Sequence, residues 1–172
     1  QGLVKGGGQQ RTESTDMGGA VRLMNQLELG METLRHALNR LAELIPAWVV
    51  DRIPKTWSQR YAARASDFRL PKDAAKRAAL AAQVGKDGAQ LLAWLHADWT
   101  PTPLQPTPIW ELAEVEGLRQ IWVQQFVWVE GTPQLRASDQ MPPAAQVILS
   151  PYDVALRLSR KRNTTWFGMM AH

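Results

Sequence analysis

The sequence predicts a mainly α-helical protein in which a helical block is bracketed by two short strand-like segments. Three observations predict it. An apolar heptad pattern runs over residues 18–45, and two further stretches, 72–97 and 109–129, have helical periodicity. Segments rich in Thr, Val, Ile and Trp, as strands are, lie at both ends of the chain. Of the 172 residues, 45% are hydrophobic and 21% charged, which is typical of a globular domain with a core of its own.

The first helix has the strongest periodicity in the chain. Its apolar residues are spaced alternately by four and three positions: Ala20, Met24, Leu27, Met31, Leu34, Leu38, Leu41 and Ile45. Such spacing is typical of a helix that packs along one seam. Two interpretations stay open: the seam packs inside its own domain, or it forms a homodimer through residues 18–45. Gly30 in mid-helix argues mildly against the dimer.

Prolines and glycines predict how the chain is divided after this helix. Pro46 ends the first helix, and Pro46 and Pro54 each precede a short helical segment. An Ala-rich helix follows over 72–97, and Gly85 and Gly88 predict an interruption within it.

The next segments alternate between loop and helix. The stretch "TPTPLQPTP" is too rich in proline for regular structure and predicts a stiff connector. A last helix is predicted over 109–129, with apolar residues on one face, and "EGTPQLRASDQMPPA" after it is predicted to be loop.

The positive charge is concentrated at the two ends. The formal net charge is +4, with +3 in residues 153–172, +2 in residues 1–12 and −1 in the remainder. An anionic partner such as nucleic acid is therefore expected to bind near the termini.

Several classes of protein are disfavoured by composition. The chain has no Cys, which excludes disulfides and thiolate metal sites and fits a reducing cytoplasm. No apolar run approaches the ~20 residues that span a bilayer, so no membrane association is expected. The Gly-rich "KGGGQQ" lacks the Gly-Lys-Ser/Thr ending of a phosphate-binding loop and is interpreted as a flexible loop. His36, His96 and His172 show no ligand spacing and are interpreted as ordinary residues.

Two carboxylates stand out by their surroundings. Glu13 lies in "RTEST", at the edge of the first strand-like segment and between hydroxyl residues. Asp153 ends "VILSPYD", immediately before a basic run formed by Arg157, Arg160, Lys161 and Arg162. Considered alone, each acid is typical of a solvated carboxylate or a helix cap.

Both ends of the chain resemble bacterial insertion-sequence transposases of the DDE class. The resembling segments are "GLVKGGGQQRTESTDMGGAVRLMNQLELGMETLRHALNRLAELIPAW" and "MPPAAQVILSPYDVALRLSRKRNTTWFGMMAH". In that family a "QRTDST" segment precedes a long helix, and a "SPYD-x-x-AR-x-x-x-KR-x-T-x-W-x-GYK-x-H" segment follows a helical block. The resemblance implies an RNase H-like core with its first strand in residues 1–15, a helical insertion over 16–140, and a basic loop and second strand over 141–172.

The resemblance also implies a chemistry. Three carboxylates would hold two divalent ions ~4 Å apart, which activate water or a 3′-hydroxyl against a DNA phosphate. Oxygen ligands suit Mg²⁺ or Mn²⁺. Glu13 takes the place of the first catalytic acid and metal ligand, with Asp153 as the alternative. Contacts to DNA phosphates are assigned to Arg157, Arg160, Lys161 and Arg162, with Trp166 as a packing anchor. The expected location is the nucleoid in the cytoplasm.

The chain departs from the family pattern in three places. Glu13 stands where the pattern has Asp, "GMMAH" replaces "GYKVH", and the sequence stops at His172, before the segments that carry the other two acids. We therefore expect a truncated copy that binds metal weakly and does not act alone. The alternative is a non-catalytic helical interaction or dimerisation module, built on the heptad helix and on 109–129.

The first prediction concerns strand cleavage. Because two-metal phosphoryl transfer needs several converging carboxylates and Glu13 is one methylene too long, the purified chain should neither nick nor join DNA in Mg²⁺ or Mn²⁺. The measurement is incubation with supercoiled plasmid and with short duplexes. Nicking that copurifies with the protein and disappears in Glu13→Ala would contradict the expectation.

Overall fold

The structure, a computed structural model, describes residues 26–66 and 69–152 and confirms a mainly α-helical fold with a two-stranded sheet. The helices are α1 (Gln26–Leu44), α2 (Pro46–Arg52), α3 (Thr56–Tyr61), α4 (Ala74–Asp98) and α5 (Ala113–Gln125). The strands are β1 (Phe126–Val129) and β2 (Thr132–Leu135), and 3₁₀ turns lie at Ile109–Glu111, Ser138–Gln140 and Ala144–Gln146. Within the described ranges, no helix is long and apolar enough to cross a membrane.

The bracketing strands predicted in residues 1–15 and toward the end of 141–172 lie outside the described residues. The described beginning of the second segment contains the 3₁₀ turn Ala144–Gln146, and residues 147–150 are not in a strand. Val147 and Ile148 are nevertheless buried, so this part of the chain belongs to the core.

The heptad seam of α1 is buried within the chain itself. Leu34 and Leu41 have no exposed surface, and Leu27 has 1%. They belong to one core cluster with residues of α4 and α5, such as Leu91 and Leu118. Each buried Leu contributes about 2 kcal/mol relative to an exposed one. Over the described part of α1, the seam therefore packs intramolecularly, which is the first of the two interpretations.

The proline predictions around α2 and α3 are confirmed. Ile45 leaves helical geometry at φ −136°, and Pro46 begins α2 at its first position. A proline fits there because the first backbone N–H of a helix has no intrahelical acceptor. Trp57 and Tyr61 of α3 are buried with their rings edge to face, at a centroid distance of 5.8 Å, so this short helix is fixed by its aromatic face.

The predicted interruption of the Ala-rich helix is wrong, because α4 continues without a break through both glycines. A Cβ added at Gly85 would lie 2.7 Å from Cβ of Pro133, and one added at Gly88 would overlap the Trp122 indole. The Trp122 indole N–H donates to the Gly85 carbonyl at 2.9 Å. The two glycines form a notch, which we call the Gly85–Gly88 notch, in which α5 and β2 approach α4 closely.

The predicted last helix ends four residues early. Phe126–Val129 is β1, and it pairs antiparallel with Thr132–Leu135, which lies within the stretch predicted to be loop. Glu130 and Gly131 connect the strands with φ of 51° and 78°, the positive values that a type I′ hairpin turn requires. Pro133 of β2 lies opposite Trp128. The aromatic and β-branched "FVWV" therefore follows its strand propensity once this turn folds it back.

The second prediction tests the notch by adding single methyl groups. Gly88→Ala should destabilise the fold by about 1–3 kcal/mol, because the new Cβ overlaps a buried indole. Gly30→Ala is the matched control, since its Cβ would meet Phe126 and Val84 at an ordinary 3.7 Å. Removing that helical glycine should stabilise the protein by up to about 1 kcal/mol.

Urea unfolding of the two variants and the wild type measures both effects. Opposite signs are expected at the two positions. Equal stability of Gly88→Ala and Gly30→Ala would contradict the close approach of α5 to α4.

Candidate functional site

The residues singled out by the sequence all lie outside the part of the chain that the structure describes. This holds for Glu13 and Asp153, for Trp166, and for the basic residues Arg157, Arg160, Lys161 and Arg162. Their mutual geometry stays a prediction. The described residues do show how the segment leading to Asp153 is held.

That segment is fixed by two contacts, one on α5 and one on α1. The Gln124 side chain donates to the Ile148 carbonyl at 2.8 Å and accepts from the Ile148 backbone N–H at 2.7 Å. Four residues later, the Tyr152 ring meets the His36 ring edge to face at 4.6 Å, and its hydroxyl donates to Glu32 Oε1 at 3.4 Å. Residues 148–152 therefore run from α5 to the first half of α1.

Glu32 is the polar centre of this contact. It is 9% exposed, and its Oε1 accepts from Arg35 Nη1 at 2.9 Å. Its other oxygen accepts from the Ala65 backbone N–H at 3.4 Å. One carboxylate thus joins α1, the loop after α3 and Tyr152. No sequence pattern indicated this role, because Glu32 lies beside the heptad positions rather than in a motif.

The other described end of the chain lies on the same helix. The Gln26 side chain donates to the Arg136 carbonyl at 3.1 Å and to the Met141 sulfur at 3.5 Å. Gln26 is six residues before Glu32, about 9 Å along the axis of α1. The described chain therefore begins and ends along the first half of one helix.

A second polar cluster joins α3 to the middle of α4. Asp87 is 4% exposed and accepts three side-chain donors. Tyr61 Oη donates at 2.6 Å, Gln83 Nε2 at 2.8 Å, and Arg60 pairs with it at 3.0 Å. Burial, followed by the hydrogen bond to Asp87 and the charge of that carboxylate, raises the pKa of the Tyr61 hydroxyl far above its usual value. The cluster is fully paired, and its role is to orient α3 on α4.

Positive and negative charges are also concentrated in different stretches of the middle of the chain. The near-neutral net charge of the middle as a whole does not predict this. Residues 51–87 carry nine Lys or Arg against four Asp, whereas residues 88–152 carry two Arg against six acids. The two stretches cancel when they are summed together. A moving sum of charge along the sequence would have found the contrast.

An apolar groove of about 470 Å³ lies between the α1–α2 junction and the end of α4, where Ile45, Trp48, Leu95, Trp99 and Leu104 line it. Asp98 is at its rim, where it accepts from Trp48 Nε1 at 3.2 Å and pairs with Arg52. The groove is shaped for an apolar group and carries no arrangement of groups suited to acid–base chemistry.

Within residues 26–66 and 69–152, no group of three or more His, Asp or Glu side chains could hold a metal ion. Comparison with known proteins adds no candidate, since no family model, curated protein or solved structure matches the chain.

The third prediction concerns how the free energy of unfolding changes at alkaline pH. The pKa of Tyr61 is higher in the folded state than its unfolded value of about 10. Its contribution is therefore fully present below about pH 10 and is lost as the pH rises above that value. Tyr61→Phe should be less stable near neutral pH, because the Asp87 hydrogen bond is lost. It should also lose less stability than the wild type between about pH 9 and about pH 11.

Tyr152→Phe is the matched control, because the chain has only two tyrosines and Tyr152 is 47% exposed. Urea unfolding at several pH values gives the comparison. If the wild type and Tyr61→Phe lose stability in parallel above about pH 10, the buried phenol–carboxylate pair is not formed in solution.

Proposed function

We propose that this chain is part of a DNA transposase of the DDE class, with α1–α5 and the β1–β2 hairpin forming a helical block inserted between two strands of the catalytic core. The proposal rests on the resemblance of both ends to that family. The single structural observation that supports it is the return of the described chain to its starting helix.

An insertion between neighbouring strands has to begin and end at nearly one place. Adjacent strands of a sheet lie only about 4.8 Å apart, so the two connections to an inserted block must be close together. Gln26 contacts residues 136 and 141, and Tyr152 contacts Glu32 and His36 on the same helix. The two described ends therefore lie along the same helix, α1, which supports the proposal.

The proposed roles follow from the chemistry of the donor groups. Glu13, with Asp153 as the alternative, supplies carboxylate oxygens of the kind that Mg²⁺ or Mn²⁺ prefers. In the intact family the ions polarise the phosphate and activate the attacking oxygen. Both acids lie outside the described residues, so their approach to a common ion stays a prediction. Binding of the DNA backbone falls to Arg157, Arg160, Lys161 and Arg162.

For the alternative function, a helical interaction module, the apolar helix faces that a partner would contact are buried within the described residues. The α1 seam and the apolar face of α5 pack into the same core, where Leu34, Leu41, Leu118 and Ile121 all have no exposed surface. A partner helix would have to displace that core.

The fourth prediction tests the basic run near the end of the chain. Each phosphate neutralised adds about −0.9 to the slope of log affinity against log salt for duplex DNA. Replacing Arg157, Arg160, Lys161 and Arg162 by Ala should therefore make the slope shallower by up to about 3.6 and weaken binding to all duplexes alike. Fluorescence anisotropy from about 50 to about 200 mM salt measures it.

The control is Arg40→Ala with Arg119→Ala, which removes two cations instead of four. These two cations lie in the described block and are paired with Glu43 and Glu116. The control should retain the wild-type slope. An unchanged affinity and slope in the quadruple variant would rule out the assigned phosphate contacts.

A further inference from the structure

Residues 51–66 and 69–87, which we call the basic hairpin, carry a concentration of positive charge to which no function is assigned above. It consists of the end of α2, α3, the connections on either side of α3 and the first half of α4. The stretch 51–87 contains nine cations and four acids in the sequence. The cations are Arg52, Lys55, Arg60, Arg64, Arg69, Lys72, Lys76, Arg77 and Lys86, and the acids are Asp51, Asp67, Asp73 and Asp87.

The contacts of α3 show that the two limbs of the basic hairpin run antiparallel. Trp57, early in α3, stacks near Trp94 at 5.8 Å, whereas Tyr61, at its end, bonds to Asp87. As the chain advances along α3, its contacts move back toward the beginning of α4. The cations of both limbs are thereby distributed along the α4 residues from 74 to 94, a length of about 30 Å.

Of the three carboxylates in this stretch that the structure describes, Asp51 is exposed at the end of α2, and Asp73 and Asp87 make local contacts. Asp87 is buried under Tyr61, Arg60 and Gln83. Asp73 caps α4, accepting from the Lys76 backbone N–H at 3.0 Å. Five cations are exposed and form no ion pair with any other described residue: Lys55, Arg64, Lys72, Lys76 and Lys86. Their charge is therefore available to an external anion.

The surroundings of these cations favour a nucleic-acid backbone over a lipid surface. A helix that lies in a membrane interface needs large apolar side chains next to its cations. Among the large exposed apolar side chains of the described block, Val50 immediately precedes the basic hairpin, and the others lie in later segments, at Leu104, Trp110, Val123, Trp128, Val129, Leu149 and Tyr152. The exposed neighbours at the beginning of α4 are short, namely Ala74, Ala75, Ala78 and Ala79. Long cationic side chains can then reach phosphates unobstructed.

We propose that the basic hairpin is a second DNA-binding surface, which contacts the phosphates of a duplex over about one helical turn, independently of sequence. The turn of B-DNA is about 34 Å, close to the length of the array. The inference rests on the proposed function, since it assumes DNA as the partner. It differs in placing phosphate contacts inside the helical block, where the resemblance assigns none.

The experiment uses the full chain and removes four of the unpaired cations, as Lys55→Gln, Arg64→Gln, Lys72→Gln and Lys76→Gln together. The control lowers the net charge equally on other exposed surfaces, as Asn39→Asp, Gln134→Glu, Ser138→Asp and Gln146→Glu. Binding to a duplex labelled with a fluorophore is followed against salt. Thermal unfolding of each variant establishes that the helices are intact.

The basic-hairpin variant should have a salt slope shallower by about 2–4, with weaker binding at low salt, whereas the charge-matched control keeps the wild-type slope. Equal changes in the variant and the control would overturn the inference, because net charge alone would then explain them. An unchanged slope in a folded basic-hairpin variant would overturn it too.

The variant of the terminal basic run distinguishes the two proposals. If only that variant changes the slope, the proposed function stands and the basic hairpin is not a binding surface. If only the basic-hairpin variant changes it, the inference stands and the terminal phosphate contacts fail. If the wild type binds no duplex, or binds vesicles of phosphatidylserine through the basic hairpin instead, the inference is overturned.

Discussion

The Gly85–Gly88 notch is the constraint on which the rest of the architecture depends. Because α4 has no side chains there, the Trp122 indole can enter and bond to the Gly85 carbonyl. That contact sets the distance of α5 from α4, and α5 in turn covers the heptad seam of α1. Gln124, two residues further along α5, then fixes Ile148 and so directs the chain toward Tyr152. The relative positions of α4, α5, α1 and residues 148–152 therefore depend on the absence of a Cβ atom at Gly85 and Gly88.

Much of the fold could be predicted because its determinants are local. The prolines at 46 and 54 define short helices through backbone chemistry alone. The α1 seam is evident from the regular spacing of its apolar residues. The predicted break in α4 is wrong because distant residues, Trp122 and Pro133, fill the space that the glycines leave. Such a tertiary effect has no signature within a window of a few residues. The hairpin error is different, because its determinants are local: "FVWV" has strand propensity and the Glu130–Gly131 turn follows it directly, but the predicted helix extends through that segment.

The candidate site was predictable only as far as motif resemblance reaches. Glu13 and the basic run were identified from their neighbours in sequence. The Asp87 cluster could not be, because its donors Tyr61 and Arg60 are 26 and 27 residues away, and nothing local pairs them. The basic hairpin was hidden for another reason, since an acidic stretch downstream cancels it in any sum over the whole block. In space an ion pair, Arg52 with Asp98, joins the two stretches, whereas Lys55, Arg64, Lys72, Lys76 and Lys86 form no ion pair with any other described residue.

Pro133 also affects whether the edge of the β1–β2 sheet is accessible to other molecules. The β1–β2 hairpin is a two-stranded sheet, so each strand has an outer edge that could recruit a strand from another molecule. Val129 and Thr132 flank the type I′ turn and form a hydrogen-bonded pair, which makes Trp128 and Pro133 a non-hydrogen-bonded pair whose backbone groups face outward. Proline has no N–H at this position, and Pro133 is fully buried where it meets Gly85 of α4. The contact that fills the notch therefore also covers the β2 edge at this position.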